Sequence, residues 1–266
     1  MYFVLGIDAA RTETEPSGIA LIGFDDQHSQ VLCVAPSYLH FAQAANGSPV
    51  DWNSGRISGG TPNITELLSA ARSLGADNVH LIAFDIPLAQ TPITSRRASD
   101  KAVSKAFGSK GCSTHSPSAK RPGPISDDLL RQLDDAGLSL ETYSRLPRDV
   151  PRTIEVYPHP ALLTLLKRDY RVPYKVSKTT KYWKGTSIEE RKALLLNEFS
   201  DIYEALKADL GDLSFALPRM EEVAALSQLK RFEDALDALT CAWVGKRHLL
   251  GQTTPYGDQD SAIWIP

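Results

Sequence analysis

Five carboxylates of this 266-residue chain sit where a carboxylate is costly. Asp8 ends the apolar run "YFVLGID", Asp85 ends "VHLIAFD", and Glu155 lies inside "TIEVYP". Proline closely follows two of them and closes the strand, because it has no N–H to donate. In "EDALDALTCAW", a turn of 100° per residue puts Asp234, Asp237, Ala238 and Cys241 on one strip. Ala235, Leu239, Ala242 and Trp243 fall on the other. Two aspartates flanked by small residues predict a helix covered on both sides, its acids facing something close and cationic. Carboxylates desolvated together repel and partly protonate. A divalent cation removes that conflict, and Mg²⁺ or Mn²⁺ prefers oxygen ligands. Two such ions about 3.5–4 Å apart can activate water and stabilise the leaving oxygen of a phosphodiester. The expected site has Asp8 bridging the metals, Asp85 and Glu155 completing the coordination from the sheet, and Asp237 with Asp234 closing it from the helix. Each acid also has a plainer use. Asp8 could cap a turn, Asp85 could take backbone amides, Glu155 could pair with Arg97, and Asp234 could be a surface acid.

The elements that must position these residues are legible from periodicity. "YFVLGID" and "SGIALIGFD", joined by a polar loop, read as a hairpin, with "SQVLCVAPSYL" as a third strand. "NITELLSAARSLGA" reads as a helix capped at Asn63 or Thr65 and stopped at Gly75. "VHLIAFD" is then a buried strand, and residues 91 to 124 read as an irregular loop. "SDDLLRQLDDAG" reads as a helix capped by Ser126 and stopped by Gly137. After the strand "RTIEVYP" come "HPALLTLLKR", a helix over "SIEERKALLLNEFSDIYEALKADLG", and a long helix from Met220 to Leu250. "SAIWIP" reads as a last short strand. Strands after helical crossovers should be parallel and the early hairpins antiparallel. The expectation is an α/β chain with a mixed five-stranded sheet flanked by helices. It forms one domain with a loop at 91–124 and a helical insertion at about 160–220.

A formal charge of −3 gives no overall pull toward nucleic acid or lipid. Cys33, Cys112 and Cys241 form no CxxC pair, which argues against a zinc ribbon or a disulfide framework. "MYFVLGIDAA" is too short and lacks the basic flank of a signal peptide. No stretch suits a bilayer span, so a soluble cytoplasmic protein without membrane contact is expected.

The charge is unevenly spread. Residues 96–121 carry seven Lys or Arg and one acid, and residues 167–192 carry nine and three, each a net +6. Such segments would attract a nucleic-acid substrate. "YKVSKTTKYWKG" adds Lys181, Lys184, and Tyr174, Tyr182 and Trp183 as surfaces for base stacking. Solvated loops and local aromatic packing are the plainer account. In "GCSTHSPSAKRPGP", Ser113, Thr114 and His115 could hold a phosphate, or form an ordinary surface loop. His159 could relay a proton or begin the next helix.

The ordered series "GID", "SGIALI", "FDIP", R-x-x-D from Arg97 to Asp100, "EVYPHPAL" and "DALDAL" runs from Gly6 nearly to the closing "IWIP". It resembles an uncharacterised prokaryotic family of predicted RNase H-like nucleases. The resemblance implies an RNase H-like fold with three antiparallel strands opening a mixed five-stranded sheet. It also implies metal-binding acids on the first strand, the fourth strand and a late helix, positions matched by Asp8, Asp85 and Asp234 or Asp237. Glu155 matches an acid typical of the family. Ser99 stands where the family's R-x-C-D has cysteine, with Arg97 and Asp100 kept. The expected activity is phosphodiester hydrolysis in nucleic acid with Mg²⁺ or Mn²⁺, Arg97 and the basic loops holding phosphates. One alternative is a catalytically silent module that binds nucleic acid or protein. Another is an actin-like phosphotransferase, disfavoured because "AARTETEP" after Asp8 has no glycine to admit a nucleotide phosphate.

Overall fold

The computed structural model describes residues 1–10, 12–53, 55–147 and 149–266. Three strands open the chain: β1 (Tyr2–Asp8), β2 (Gly18–Phe24) and β3 (Ser29–Ala35). Helices α1 (Tyr38–Ala45) and α2 (Ile64–Ser73) lead to β4 (Leu81–Phe84). Next come α3 (Ala98–Phe107), α4 (Pro124–Asp135), β5 (Ser139–Leu140) and β6 (Arg152–Val156). Then follow α5 (Pro158–Leu166), α6 (Thr179–Tyr182), α7 (Ile188–Leu210), α8 (Lys230–Leu249), β7 (Thr254–Gly257) and β8 (Ala262–Ile265).

The described strands form one mixed sheet of eight, ordered β3-β2-β1-β4-β6-β8-β7, with β5 beside β6. The pairings β1–β2, β2–β3 and β7–β8 are antiparallel, whereas β1–β4, β4–β6 and β6–β8 are parallel. The sheet therefore has eight strands, not the expected five. The additional ones are short, and "TPYG" and "SL" are too brief and too polar to carry a period-two signal.

Other boundaries also differ from the sequence reading. The third strand stops at Ala35, and the Ser37 hydroxyl caps α1 by accepting from the His40 N–H. The loop expected at 91–124 contains α3. Ser126 is not a cap. Gly123 precedes α4, and the Ser126 hydroxyl donates to the Pro87 carbonyl at 2.7 Å. The long last helix begins only at Lys230, after 3₁₀ turns at Met220–Glu222 and Leu226–Leu229. Residues 160–220 hold the rest of α5, then α6 and α7, separated by non-helical stretches. Ser187 and Glu190 form a reciprocal cap on α7, which buries Leu195, Phe199, Ile202, Leu206 and Leu210 at helical spacing. No helix among the described residues is long and apolar enough to cross a membrane. Cys33, Cys112 and Cys241 are buried and unbridged.

The pleat sorts the sheet residues onto two faces. Val4, Leu81, Ala83, Ile154 and Val156 pack with α5, α7 and α8. Leu5, Ile7, Ile82 and Phe84 pack with Phe41, Ile64, Leu67, Leu129 and Leu133 from α1, α2 and α4. Helix α8 lies directly on β1 and β2. A Cβ on Gly6 would stand 2.2 Å from the Ala238 carbonyl oxygen, and one on Gly18 would stand 2.1 Å from that of Asp234. The stripe that meets the sheet thus includes Ala238 and Ala242 together, rather than on opposite sides of the helix. Gly6→Ala must push α8 off the sheet and is expected to cost about 3 kcal/mol or more of stability. An unchanged urea midpoint would contradict that seating.

Candidate active site

Asp8 and Asp85 emerge side by side. Strands β1 and β4 are parallel with Ile7 opposite Phe84, and the ladder continues as the Asp85 N–H donates to the Ile7 carbonyl at 2.9 Å. Adjacent strands are about 4.8 Å apart. Residues of even number in β1 share the face of Val4 and Gly6, and odd-numbered residues at β4 share that of Leu81 and Ala83. Both carboxylates therefore lie on the α8 side, at the carboxyl ends of the strands, and both are half-buried.

The close seating of α8 brings its acids near Asp8. Asp8 pairs in register with Gly18, and Gly18 abuts the Asp234 backbone. Glu233, Asp234 and Asp237 are all buried. The Asp237 carboxylate accepts from the Tyr174 hydroxyl at 2.5 Å and from the Lys175 ammonium. Glu233 accepts from the Val176 N–H at 2.6 Å and from Lys230 at 3.0 Å, and pairs with Lys175 at 3.4 Å. One Asp234 oxygen accepts from Lys230, whereas Oδ2 is buried without a hydrogen-bond partner.

Four carboxylates, Asp8, Glu233, Asp234 and Asp237, thus surround two lysines. Burial, opposed by Lys175 but reinforced by Asp8 and Glu233, pushes the Asp237 carboxyl up to about 6. Burial and the charges of Asp8 and Glu233 hold Asp234 well above the usual carboxylate range despite Lys230. For Glu233, the lysines and the Val176 N–H outweigh burial and lower it. Since the Asp237 value is raised on folding, its stabilising effect is complete below about pH 4 and lost as pH rises through about 6. In metal-free protein the stability of Asp237→Asn relative to wild type is therefore expected to rise across that window, by up to ~3 kcal/mol. Urea unfolding at a series of pH values measures it, and a constant difference would contradict the assignment.

Glu155 is paired separately from the α8 acids, although it lines a small cavity with Asp85. It pairs in register with Phe84, whose ring lies on the α2 and α4 side. Its carboxylate accepts from Arg97 at 2.5 and 2.8 Å and from the Leu88 N–H at 2.8 Å. Arg97 also donates to Asp100 at 3.0 Å twice and to the Leu88 carbonyl at 2.7 Å. All five guanidinium N–H groups are engaged, so Arg97 has no donor left for a phosphate. Asp100 additionally takes the Arg97 N–H at the start of α3. The triad clamps the segment just after Asp85.

Of the remaining expected residues, Thr114 and His115 line a small cavity with Asp85, Arg97, Asp100 and Glu155. The Thr114 hydroxyl donates to the Asp100 carbonyl at 3.1 Å. Ser113 is exposed and its carbonyl accepts from the Tyr157 hydroxyl. Lys181 and Lys184 are exposed at and just beyond the end of α6. Tyr174 is fully buried and serves Asp237 rather than a base. His159 is buried at the start of α5, beside Arg171 and the Tyr174 ring.

Sequence reasoning missed Glu233, Lys230 and Lys175 as parts of the site, and read Tyr174 as a stacking surface. The first two carry a local signal, since Lys230 precedes Glu233 and Asp234 by three and four residues and must face them on a helix. Lys175 lies 62 residues from Asp237, and no local pattern links them. The all-oxygen donors, the unpartnered Asp234 Oδ2 and the unneutralised charge fit a hard divalent cation. As the side chains stand, the helix acids are turned to the lysines, and no three described His, Cys, Asp or Glu are arranged to hold a metal.

Neither the curated proteins nor the solved structures contain a significant match to this chain. One family model covers residues 6–261, nearly the whole length, and its description is "Protein of unknown function (DUF429)". The chain belongs to that family.

Proposed function

We propose that the chain is a divalent-metal-dependent nuclease with an RNase H-like core. The observation that carries this reading is the placing of Asp8 and Asp85 at adjacent parallel strand ends, with Asp234 and Asp237 of α8 close enough to Asp8 to feel its charge. The β3-β2-β1-β4-β6 part of the sheet, antiparallel then parallel, supports the RNase H-like reading. Asp8 and Asp85, with Asp237 or Asp234, would hold Mg²⁺ or Mn²⁺. When bound, the ion supplies Lewis acidity at a phosphate and a hydroxide-like nucleophile. Lys175 and Lys230 orient the helix acids and partly offset their repulsion. The Arg97–Glu155–Asp100 triad fixes the backbone that presents Asp85. Phosphate contacts fall to the exposed Lys181, Lys184, Ser113 and His115, since Arg97 is fully occupied. Nucleic acid is the substrate class, with DNA and RNA both to be tested.

The two lysines also favour a second reading, a scaffold that needs no metal and binds nucleic acid or protein. Mn²⁺ titration and a cleavage screen over single- and double-stranded DNA and RNA separate the two, with Asp85→Asn as control. Saturable Mn²⁺ binding with Asp85-dependent cleavage is expected. Neither metal binding nor cleavage would leave only the scaffold.

A further inference from the structure

A cavity of about 510 Å³ opens beside the acids, walled by residues 14–16, residues 53 and 55–57, and the start of α8. That volume lies within the range of small-ligand sites. Its walls carry Arg56, Lys230 and Arg231 against one acid, Glu15. Arg231 donates to the Trp52 and Gly55 carbonyls at 2.7 and 2.9 Å, which holds the opposite wall in place with neutral acceptors. Arg56 is exposed and makes no hydrogen bond or ion pair among the described residues. Lys230 belongs to both places: it lines the cavity while its ammonium holds Glu233 and Asp234.

We propose that this cavity binds one phosphate-bearing nucleotide of a nucleic-acid strand, with Arg56 and Lys230 as its phosphate contacts. The choice of nucleic acid rests on the nuclease reading. The excess of cations selects an anion, and planar guanidinium groups suit phosphate. A phosphate at Lys230 competes with Asp234 for the ammonium, so an occupied cavity frees a carboxylate that already has one unpartnered oxygen.

The test is fluorescence anisotropy of labelled DNA and RNA decamers with the full chain in EDTA, where no metal-dependent cleavage occurs. The variants are Arg56→Ala and Ser227→Trp, both at exposed positions lining the cavity, with unfolding curves to check the fold. Arg56→Ala is expected to weaken binding about tenfold at low salt and to reduce the log–log salt slope by about one. Ser227→Trp, which fills the cavity, is expected to weaken it further. The proposal is overturned if wild type binds neither decamer, or if either variant binds as wild type does. If Ser227→Trp binds and cleaves normally while Asp85→Asn does not cleave, the cavity assignment fails and the nuclease reading stands. If Ser227→Trp abolishes strand binding and no cleavage is found under any condition, the cavity stands and the nuclease reading fails.

Discussion

Asp8→Asn is expected to lower Mn²⁺-dependent cleavage by about 10³-fold, equivalent to roughly 4 kcal/mol of transition-state stabilisation. Asp85→Asn should do the same. Both carboxylates stand at adjacent strand ends, and neither has a replacement within the sheet. The stability readout should move the other way. Asp8 contributes to the repulsion that raises the carboxyls of Asp234 and Asp237. Removing its charge relieves two buried acids, so metal-free Asp8→Asn should melt at or above the wild-type temperature. Wild type should gain about 2.7 kcal/mol from Mn²⁺ at a hundred times its Kd, and the variant should gain far less. Opposite signs for stability and function mark a site that tolerates strain for a ligand. A variant that is destabilised without metal, and still stabilised by Mn²⁺, would make Asp8 a structural cap instead.

Glu155→Ala is expected to cost about 3–5 kcal/mol of stability, because it strands a buried guanidinium. For a chain of this size that lowers the Tm on the order of 10 °C. Arg97 would keep Asp100 alone, and the Leu88 N–H would lose its acceptor. The energetic case is strong because Arg97 and Glu155 have side chains only 4% and 5% exposed. Solvent cannot take over from the missing partner. Cleavage should fall too, through loosening of residues 85–88, and Glu155→Gln should restore part of both, since its one carbonyl oxygen can still accept from Arg97 and the Leu88 N–H. A Glu155→Ala variant with wild-type Tm but no Mn²⁺ affinity would return Glu155 to the ligand set that its strand position first suggested.

The contrast between Asp85 and Glu155 shows what the sequence determines by itself. Apolar runs ending in acids, proline punctuation and helical spacing place β1, β2, β4, β6, α7 and α8 because each depends on neighbours a few residues away. The same local logic identifies Asp8, Asp85, Asp234 and Asp237 as carboxylates in costly places. It cannot say which face of the sheet each occupies relative to the others, since that depends on register between strands. Parallel pairing of β1, β4 and β6 puts Asp8 and Asp85 on the α8 side and Glu155 on the other. Contacts distant in sequence settle the rest. Arg97 and Glu155 are 58 residues apart, and Lys175 and Asp237 are 62 apart. Each pair forms because burial makes an unpaired charge more expensive than the ordering needed to bring its partner in. The sequence alone therefore determined where the charges are. Only the tertiary structure decided which of them are neutralised, and that Asp8, Glu233, Asp234 and Asp237 gather about two lysines.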